Sequence, residues 1–277
     1  MRDEPIQLVI QEQVSNPNKW RFKWRLNSQS ISVSLTLIAL LVIWQLLYLV
    51  FSIPEYLVPS PISIAERFIQ DAGPLMTHSS YTLGEVLLGF FLSVIIGIPI
   101  AILIVHSKYF ANTIYPILIG IHCIPMVALA PLLVIWFGYE LKTKVLIVFL
   151  ISFFPVVINA VVGLQSMDKE MYRLGRSMRA SELQIFTYFR LPKALPSMFG
   201  GFKVGITLSV VGAVVAEFVA SSQGIGYLQL VANSQLDTTL EFCALFILAV
   251  MGIGLFYIVH FLERLAMPWY QDLKRRS

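Results

Sequence analysis

The chain alternates long apolar runs with polar loops, and the runs define its elements. A membrane-spanning helix needs roughly 20 mostly apolar residues. Six stretches meet that requirement: Ile31 to Phe51, Leu83 to Val105, Pro116 to Phe137, Val145 to Leu164, Ser197 to Val219 and Phe242 to Leu262. They predict an all-α membrane protein with six transmembrane helices and one membrane domain, residues 31–262. A polar segment, 1–30, precedes the domain, and a short tail, 263–277, follows it. The polar start carries no short apolar segment ending in a small-residue cleavage site, so the first run reads as a retained span.

The loops set the orientation, because cytoplasmic loops carry the excess of Lys and Arg. With the N-terminus inside, segments 1–30, 106–115, 165–196 and 263–277 hold five, one, six and four such residues. Segments 52–82, 138–144 and 220–241, on the other side, hold one, two and none. Sixteen against three predicts both termini in the cytoplasm. Trp20 and Trp24, set among Arg21, Lys23 and Arg25, fit an interfacial anchor ahead of the first span. On the outer side, Pro59 and Pro61 predict a rigid turn. A helix is expected after it, with Ile62, Ala65, Phe68 and Ile69 on its apolar face. Gly224 and Gly226 predict a sharp reversal after the fifth span, then a short amphipathic helix.

The loop between spans four and five is unlike the others. Five basic residues fall between Arg173 and Pro196. Met171, Leu174 and Met178 sit at i, i+3 and i+7 and form a narrow apolar stripe, while Arg173, Arg176 and Arg179 face elsewhere. Ser181 followed by Gln184 fits a capping box and starts a second short helix. Leu183, Phe186 and Phe189 make its apolar side, with Ile185 and Tyr188 nearby. Pro192 is expected to stop that helix, and Pro196 to fall in the first turn of span five. Two readings of this insert stand side by side. Its arginines could bind lipid phosphates at the inner surface, or the insert could dock a cytoplasmic protein.

Composition narrows the classes. Apolar residues make up 57% and charged residues 13%, and the mean hydropathy is +0.76. A soluble domain carries about a quarter of its residues charged, so that class is excluded. The net charge of +4 is divided among loops, which leaves no contiguous basic face for nucleic acid. Cys123 and Cys243 lie in or beside apolar runs and read as small apolar fillers, not as a disulfide. His78, His106, His122 and His260 are scattered without metal-ligand spacing. His122 and Cys123 are adjacent, but neighbours on a helix point apart, so no metal is expected. The chain has no G-x-x-x-x-G-K-[ST] phosphate loop. Energy must come from another chain or from a gradient, and no cofactor is expected here.

Several polar residues fall inside the spans. Glu217 and Glu85 fall near the outer ends of spans five and two. Glu217 reads first as structural, accepting backbone amides at the glycine turn or pairing across a dimer. Lys203 is expected to snorkel to the headgroups, and Asn159 to hydrogen-bond another helix. Pro99, Pro116, Pro125, Pro131 and Pro155 predict kinks. A gradient-driven carrier or channel is the rival class and would need ionisable groups near the midplane. An intramembrane enzyme would need paired catalytic groups, which cannot be placed.

Five motifs in order carry a resemblance: "VPSP" from Val58, "IPMVALAPLLVIWFG" from Ile124, "FFPVVINAVVGLQSMD" from Phe153, "LPKALP" from Leu191 and "AEFVASSQGIGYL" from Ala216. Together they resemble permease subunits of binding-protein-dependent ATP-binding cassette importers, over about residues 30 to 270. The insert is similar to that family's "EAA" loop. Within the family, the likeness is to the branch serving nitrate, sulfonate, taurine, bicarbonate and thiamine-precursor uptake. The resemblance implies a multi-pass protein of the bacterial inner membrane that performs no covalent chemistry. It implies a second permease copy, most simply a homodimer. Two cytoplasmic ATPase subunits would carry ATP and Mg, and an extracytoplasmic binding protein would deliver a small solute, either an anion such as nitrate, a sulfonate or taurine, or a thiamine-precursor-type heterocycle. It assigns ATPase coupling to Met171, Arg173, Leu174, Gly175, Ser177, Met178, Arg179, Ala180, Ser181, Leu183, Phe186, Leu191 and Pro192. Glu217, Gly224, Gly226 and Asn159 become gate or structural candidates. Two positions depart from the family pattern. Arg173 stands where the loop glutamate falls and Arg179 where its glycine falls, whereas Ser177, Ala180 and Ser181 fit.

Overall fold

The computed structural model describes residues 28–269, so the Trp20 to Arg25 anchor and the end of the tail lie outside the described residues. Every regular element among the described residues is helical. In order they are α1 (Ser28–Phe51), α2 (Pro61–Gln70), α3 (Ala72–His106), α4 (Lys108–His122), α5 (Met126–Phe137), α6 (Leu141–Gln165) and α7 (Lys169–Ser177). After these come α8 (Glu182–Ile185), a π-helical turn (Phe186–Arg190), α9 (Leu191–Ala220), α10 (Ile225–Ser234) and α11 (Thr238–Ala266).

Four helical runs are long and apolar enough to cross a membrane: α3, α6, Glu182–Ala220 and α11. A fifth crossing counts α4 and α5 as one span bent by 97°. In α1 the apolar stretch is shorter, Leu35–Phe51. The 35 residues of α3 reach about 52 Å at 1.5 Å per residue, well beyond a hydrocarbon core of about 30 Å. The helix is thus long enough for several of its turns to extend past a hydrocarbon core.

Helix α6 lies at the centre, between α3 and α9. Helices in lipid associate by close packing, which favours small residues at the contact. Gly201, Gly205 and Gly212 of α9 all face α6, and a Cβ on Gly201 would lie 2.9 Å from the Pro155 carbonyl oxygen. Gly163 of α6 returns the contact, since a Cβ there would lie 2.7 Å from the Ala194 carbonyl oxygen. Val86, Phe90, Val148, Val156, Ile206 and Val210 fill the space between the three helices, with Leu255 and Val259 of α11 closing it. Ser93 and Ser152 pair their hydroxyls at 2.6 Å, joining α3 to α6 within this apolar core.

Three sequence expectations change. The second insert helix does not stop at Pro192. Leu191 keeps helical angles, its N–H donates to the Phe186 carbonyl in a π turn, and the helix runs on to Ala220. The wider turn makes room for the proline ring, so Pro196 lies inside α9 and not in its first turn. The third span is two helices, not one kinked helix. Pro125 adopts an extended backbone (φ −61°, ψ 110°) and starts α5 afresh. On α2, the buried face is Ile64 with half-buried Phe68, which pack against Leu75, Leu240 and Cys243. Ile62, Ala65 and Ile69 point outward. This ten-residue helix has apolar residues on two faces, and periodicity alone could not choose between them.

Candidate functional site

The basic insert is built from α7, a tight turn, α8 and the π turn. Ser181 Oγ accepts from the Gln184 N–H at 3.3 Å, and Gln184 Oε1 accepts from the Ser181 N–H at 2.8 Å, which completes the capping box. Arg179 has a left-handed backbone (φ +58°), and the Ala180 N–H closes the turn on the Gly175 carbonyl at 3.1 Å. Position 179 is thus one that a glycine would fill without strain, and here it carries an arginine. Gly175 is buried against Ile185, where a Cβ would lie 3.0 Å from Cγ1. Tyr172 donates to Glu182 Oε1 at 2.8 Å, which raises its pKa above that of an ordinary phenol. Arg176 reaches the same carboxylate at 3.4 Å, and Lys193 pairs with Asp168 to tie the start of α9 to the start of α7.

The outward face of this insert carries exposed apolar side chains among charged ones. Leu174 is 55% exposed, Met178 69% and Leu183 72%. Arg173 and Arg179 are also exposed. Met171 is half-buried, and the Ser177 hydroxyl turns back to the Leu174 carbonyl at 2.7 Å. On the second helix, Ile185, Phe186 and Phe189 face the protein and Leu183 does not, which revises the expected grouping. Sequence reasoning missed the Gly175–Ile185 contact, although a glycine within a charged helix was a signal for it.

A second polar constellation is buried at the other end of the helices. Glu217 and Thr82 are fully buried. Thr82 Oγ1 donates to Glu217 Oε1 at 2.7 Å and accepts from the Ile225 N–H at 2.8 Å. Glu217 Oε2 accepts from the Gly226 N–H at 2.5 Å. The Gly224 N–H donates to His78 Nδ1 at 2.9 Å, and the His78 ring lies near Tyr227. The first amides of α10, unsatisfied within any helix, are thus received by α3 and α9. Beside this cluster Lys144 of α6 is ion-paired with Glu85 of α3 and donates to Ser221 Oγ at 3.1 Å.

Other polar residues find partners that one helix's sequence could not reveal. The Asn159 amide donates to Pro155 of its own helix at 2.9 Å, and the interhelical bond runs from Ser197 Oγ to the Asn159 carbonyl, also at 2.9 Å. Lys203, expected to snorkel, has a protein partner instead of standing alone. It pairs with Glu263 of α11, which His260 also contacts at 2.9 Å. Cys243 is buried, as a filler should be, but Cys123 is exposed at the α4–α5 break. There the His122 ring stacks on Phe154 with centroids 3.9 Å apart and planes 10° apart.

Between α2 and α11 a polar hollow of about 390 Å³ is lined by Glu55, Glu66, Arg67, Gln70 and Asp237. Arg67 bridges Asp71 and, at 2.8 Å, Asp237. Asp237 also caps α11 by accepting from the Leu240 N–H at 3.0 Å. Asp237→Ala is expected to lower stability by about 1–2 kcal/mol, mostly through the lost cap. Thermal unfolding of the detergent-purified protein measures this, and an unchanged midpoint would show that the cap contributes nothing.

Residues 93–271 match the family described as binding-protein-dependent transport system inner membrane component. The chain is 38% identical over 251 residues to the riboflavin transport system permease protein RibX of Chloroflexus aurantiacus, covering 90% of this chain and 92% of that one. It is 34% identical over 242 residues to the formylaminopyrimidine transport permease protein ThiX of Halalkalibacterium halodurans, covering 87% and 96%. To the taurine transport system permease protein TauC of Escherichia coli it is 29% identical over 278 residues, covering 97% and 100%. Among solved structures, it matches a chain of the inward-facing MetNI methionine ABC transporter with a TM-score of 0.59 and 17% identity. That match covers 66% of this chain and 92% of the other, and is a likeness of fold.

Proposed function

The chain belongs to the family of binding-protein-dependent transport system inner membrane components, and from that premise we propose that it pairs with a second copy of itself to form the gated path of an ATP-driven importer. Family membership decides against the gradient-driven carrier or channel. Two ATPase subunits dock from the cytoplasm and an extracytoplasmic binding protein delivers the solute. The path has six spans per copy with both ends in the cytoplasm, a reading supported by the Lys and Arg bias and by the apolar stretch of α1. The protein resides in the bacterial inner membrane. The solute is a small heterocycle. The relatives at 34% and 38% identity are named for a formylaminopyrimidine and for riboflavin, whereas the taurine relative is at 29%.

One observation carries the docking part of this reading: the exposed Leu174, Met178 and Leu183, flanked by exposed Arg173 and Arg179, on an insert whose other face is packed. An apolar patch rimmed by charge suits a protein interface. Nucleotide-driven closure of the ATPases would move the insert and, through the continuous helix Glu182–Ala220, the spans. The test is to purify the tagged chain from its native membrane with and without Met171 to Phe189. An ATPase subunit should co-purify with the intact chain and be absent from the deletion. Recovery of the same subunit with both would remove the insert from the interface. A finer test is the charge swap Arg173→Glu with Arg179→Gly. If the partner's surface is acidic, the swap should weaken assembly about tenfold, or about 1.4 kcal/mol. Unchanged assembly would rule out an acidic partner surface.

A further inference from the structure

The α4–α5 break is the most irregular backbone among the described spans. It packs beside Phe149, Phe153 and Phe154, and Phe153 is the middle residue of the 25-residue α6. The break therefore lies at the depth of the membrane centre. Non-helical backbone at that depth is tolerated only inside protein or along a water-filled cavity. Yet His122, Cys123 and Ile124 are all exposed on the single chain. An imidazole facing lipid at the midplane is also costly. Of the two settings that tolerate such backbone, the aqueous path that two copies would enclose is the one that would also hydrate the exposed imidazole.

The lining there is aromatic. A pocket of about 100 Å³ opens between His122, Met126 and the three phenylalanines. Its walls are almost wholly apolar apart from the imidazole. The His122 ring lies flat on Phe154, 3.9 Å away, and offers a planar shelf with ring nitrogens at its edge. Flat π surfaces stack on such shelves, and a ring nitrogen can exchange a hydrogen bond with a heterocycle's polar edge. A tetrahedral sulfonate would gain nothing from the stack and would lose its hydration. We propose that His122 and Phe154 form the mid-membrane contact for the planar heteroaromatic ring of the cargo, and so set the permease's preference for that class. The inference rests on the importer reading above and narrows it to a place on the path.

The test uses the full complex, with its ATPase and binding protein, in proteoliposomes. Riboflavin, formylaminopyrimidine and taurine are the probes. The wild type should take up at least one of the two heterocycles. His122→Leu and Phe154→Leu should raise the KM for that uptake at least about fivefold, and Phe154→Tyr should restore it. Co-purification of the ATPase serves as the folding control for each variant. Cys123 gives a reading that does not depend on transport. A charged methanethiosulfonate added from water should label Cys123, and the transported heterocycle should slow the labelling, while buried Cys243 stays unlabelled. The inference is overturned by unchanged KM in both leucine variants, by uptake of taurine alone, or by uptake of none of the three. It is overturned equally if only an uncharged, lipid-soluble maleimide reaches Cys123. If no ATPase co-purifies and no uptake depends on ATP, the importer reading itself fails.

Discussion

Replacing Lys144 with alanine is expected to destabilise the protein by about 3–5 kcal/mol, the cost of leaving a buried charge without its partner. Glu85 is 1% exposed and Lys144 8%, on helices α3 and α6 that pack along the core. Water cannot replace the ammonium. Glu217 lies against the same carboxylate, so removing Lys144 would leave two acidic side chains facing each other. The double variant Lys144→Ala with Glu85→Gln removes the uncompensated charge and should recover most of the loss, because neutralising both members of a buried pair costs far less than removing one. Yield of detergent-solubilised protein and its unfolding midpoint report both effects. If Lys144→Ala alone unfolds like the wild type, the pair is not buried in the assembled protein.

This pair also shows what the sequence could and could not disclose. Helix class, the positions of most apolar runs, the capping box at Ser181 and the turn at Gly224 all follow from local signals: run length, a Ser-x-x-Gln spacing, a glycine after the run. Each depends on residues a few positions apart. The pairings Lys144–Glu85, Lys203–Glu263 and Thr82–Glu217 do not, since their members are separated by dozens of residues and belong to different helices. Lys144 read as an outer-loop cation and Lys203 as a snorkelling one because each helix was taken alone. A partial signal was available. Gly201, Gly205 and Gly212 repeat near the helical period, which marks α9 as the helix that another must approach closely.

The insert was legible in part. Its stripe, its charges and its cap were visible, but which face was packed depended on a neighbour. Ile185 won that place because Gly175 leaves room for it, and Leu183 was left outside. The break in span three was the larger miss. Five prolines punctuate the expected spans, and Pro99, Pro116, Pro131 and Pro155 all sit inside helices. Only Pro125 stands at a break, where it caps the start of α5. The difference is not local, for the freed backbone needs surroundings that can take it up, and the sequence of one span does not name them.

Gly224→Ala is expected to abolish transport while leaving the cytoplasmic insert intact. Gly224 has φ +107° and ψ 166°, a region essentially reserved for glycine, so any side chain there costs about 1–3 kcal/mol. A Cβ would also overlap the Glu217 carboxylate. Relief requires that carboxylate to leave, which frees the Gly226 N–H and the Thr82 hydroxyl in a buried site, each orphan costing about 1–3 kcal/mol. The outer turn and α10 would then detach from α3 and α9. The ATPase should still co-purify, because Leu174, Met178 and Leu183 lie at the other end of the long helix. Gly200→Ala is the matched control. Nothing lies within 4 Å of a Cβ there, and within a helix alanine is favoured over glycine by about 1 kcal/mol. The two substitutions add the same methyl group, so opposite signs in unfolding midpoint would isolate the turn's backbone and its carboxylate latch as the cause. Equal, small effects would mean that α10 can release from Glu217 at little cost, and that the outer cluster is packing and not a latch.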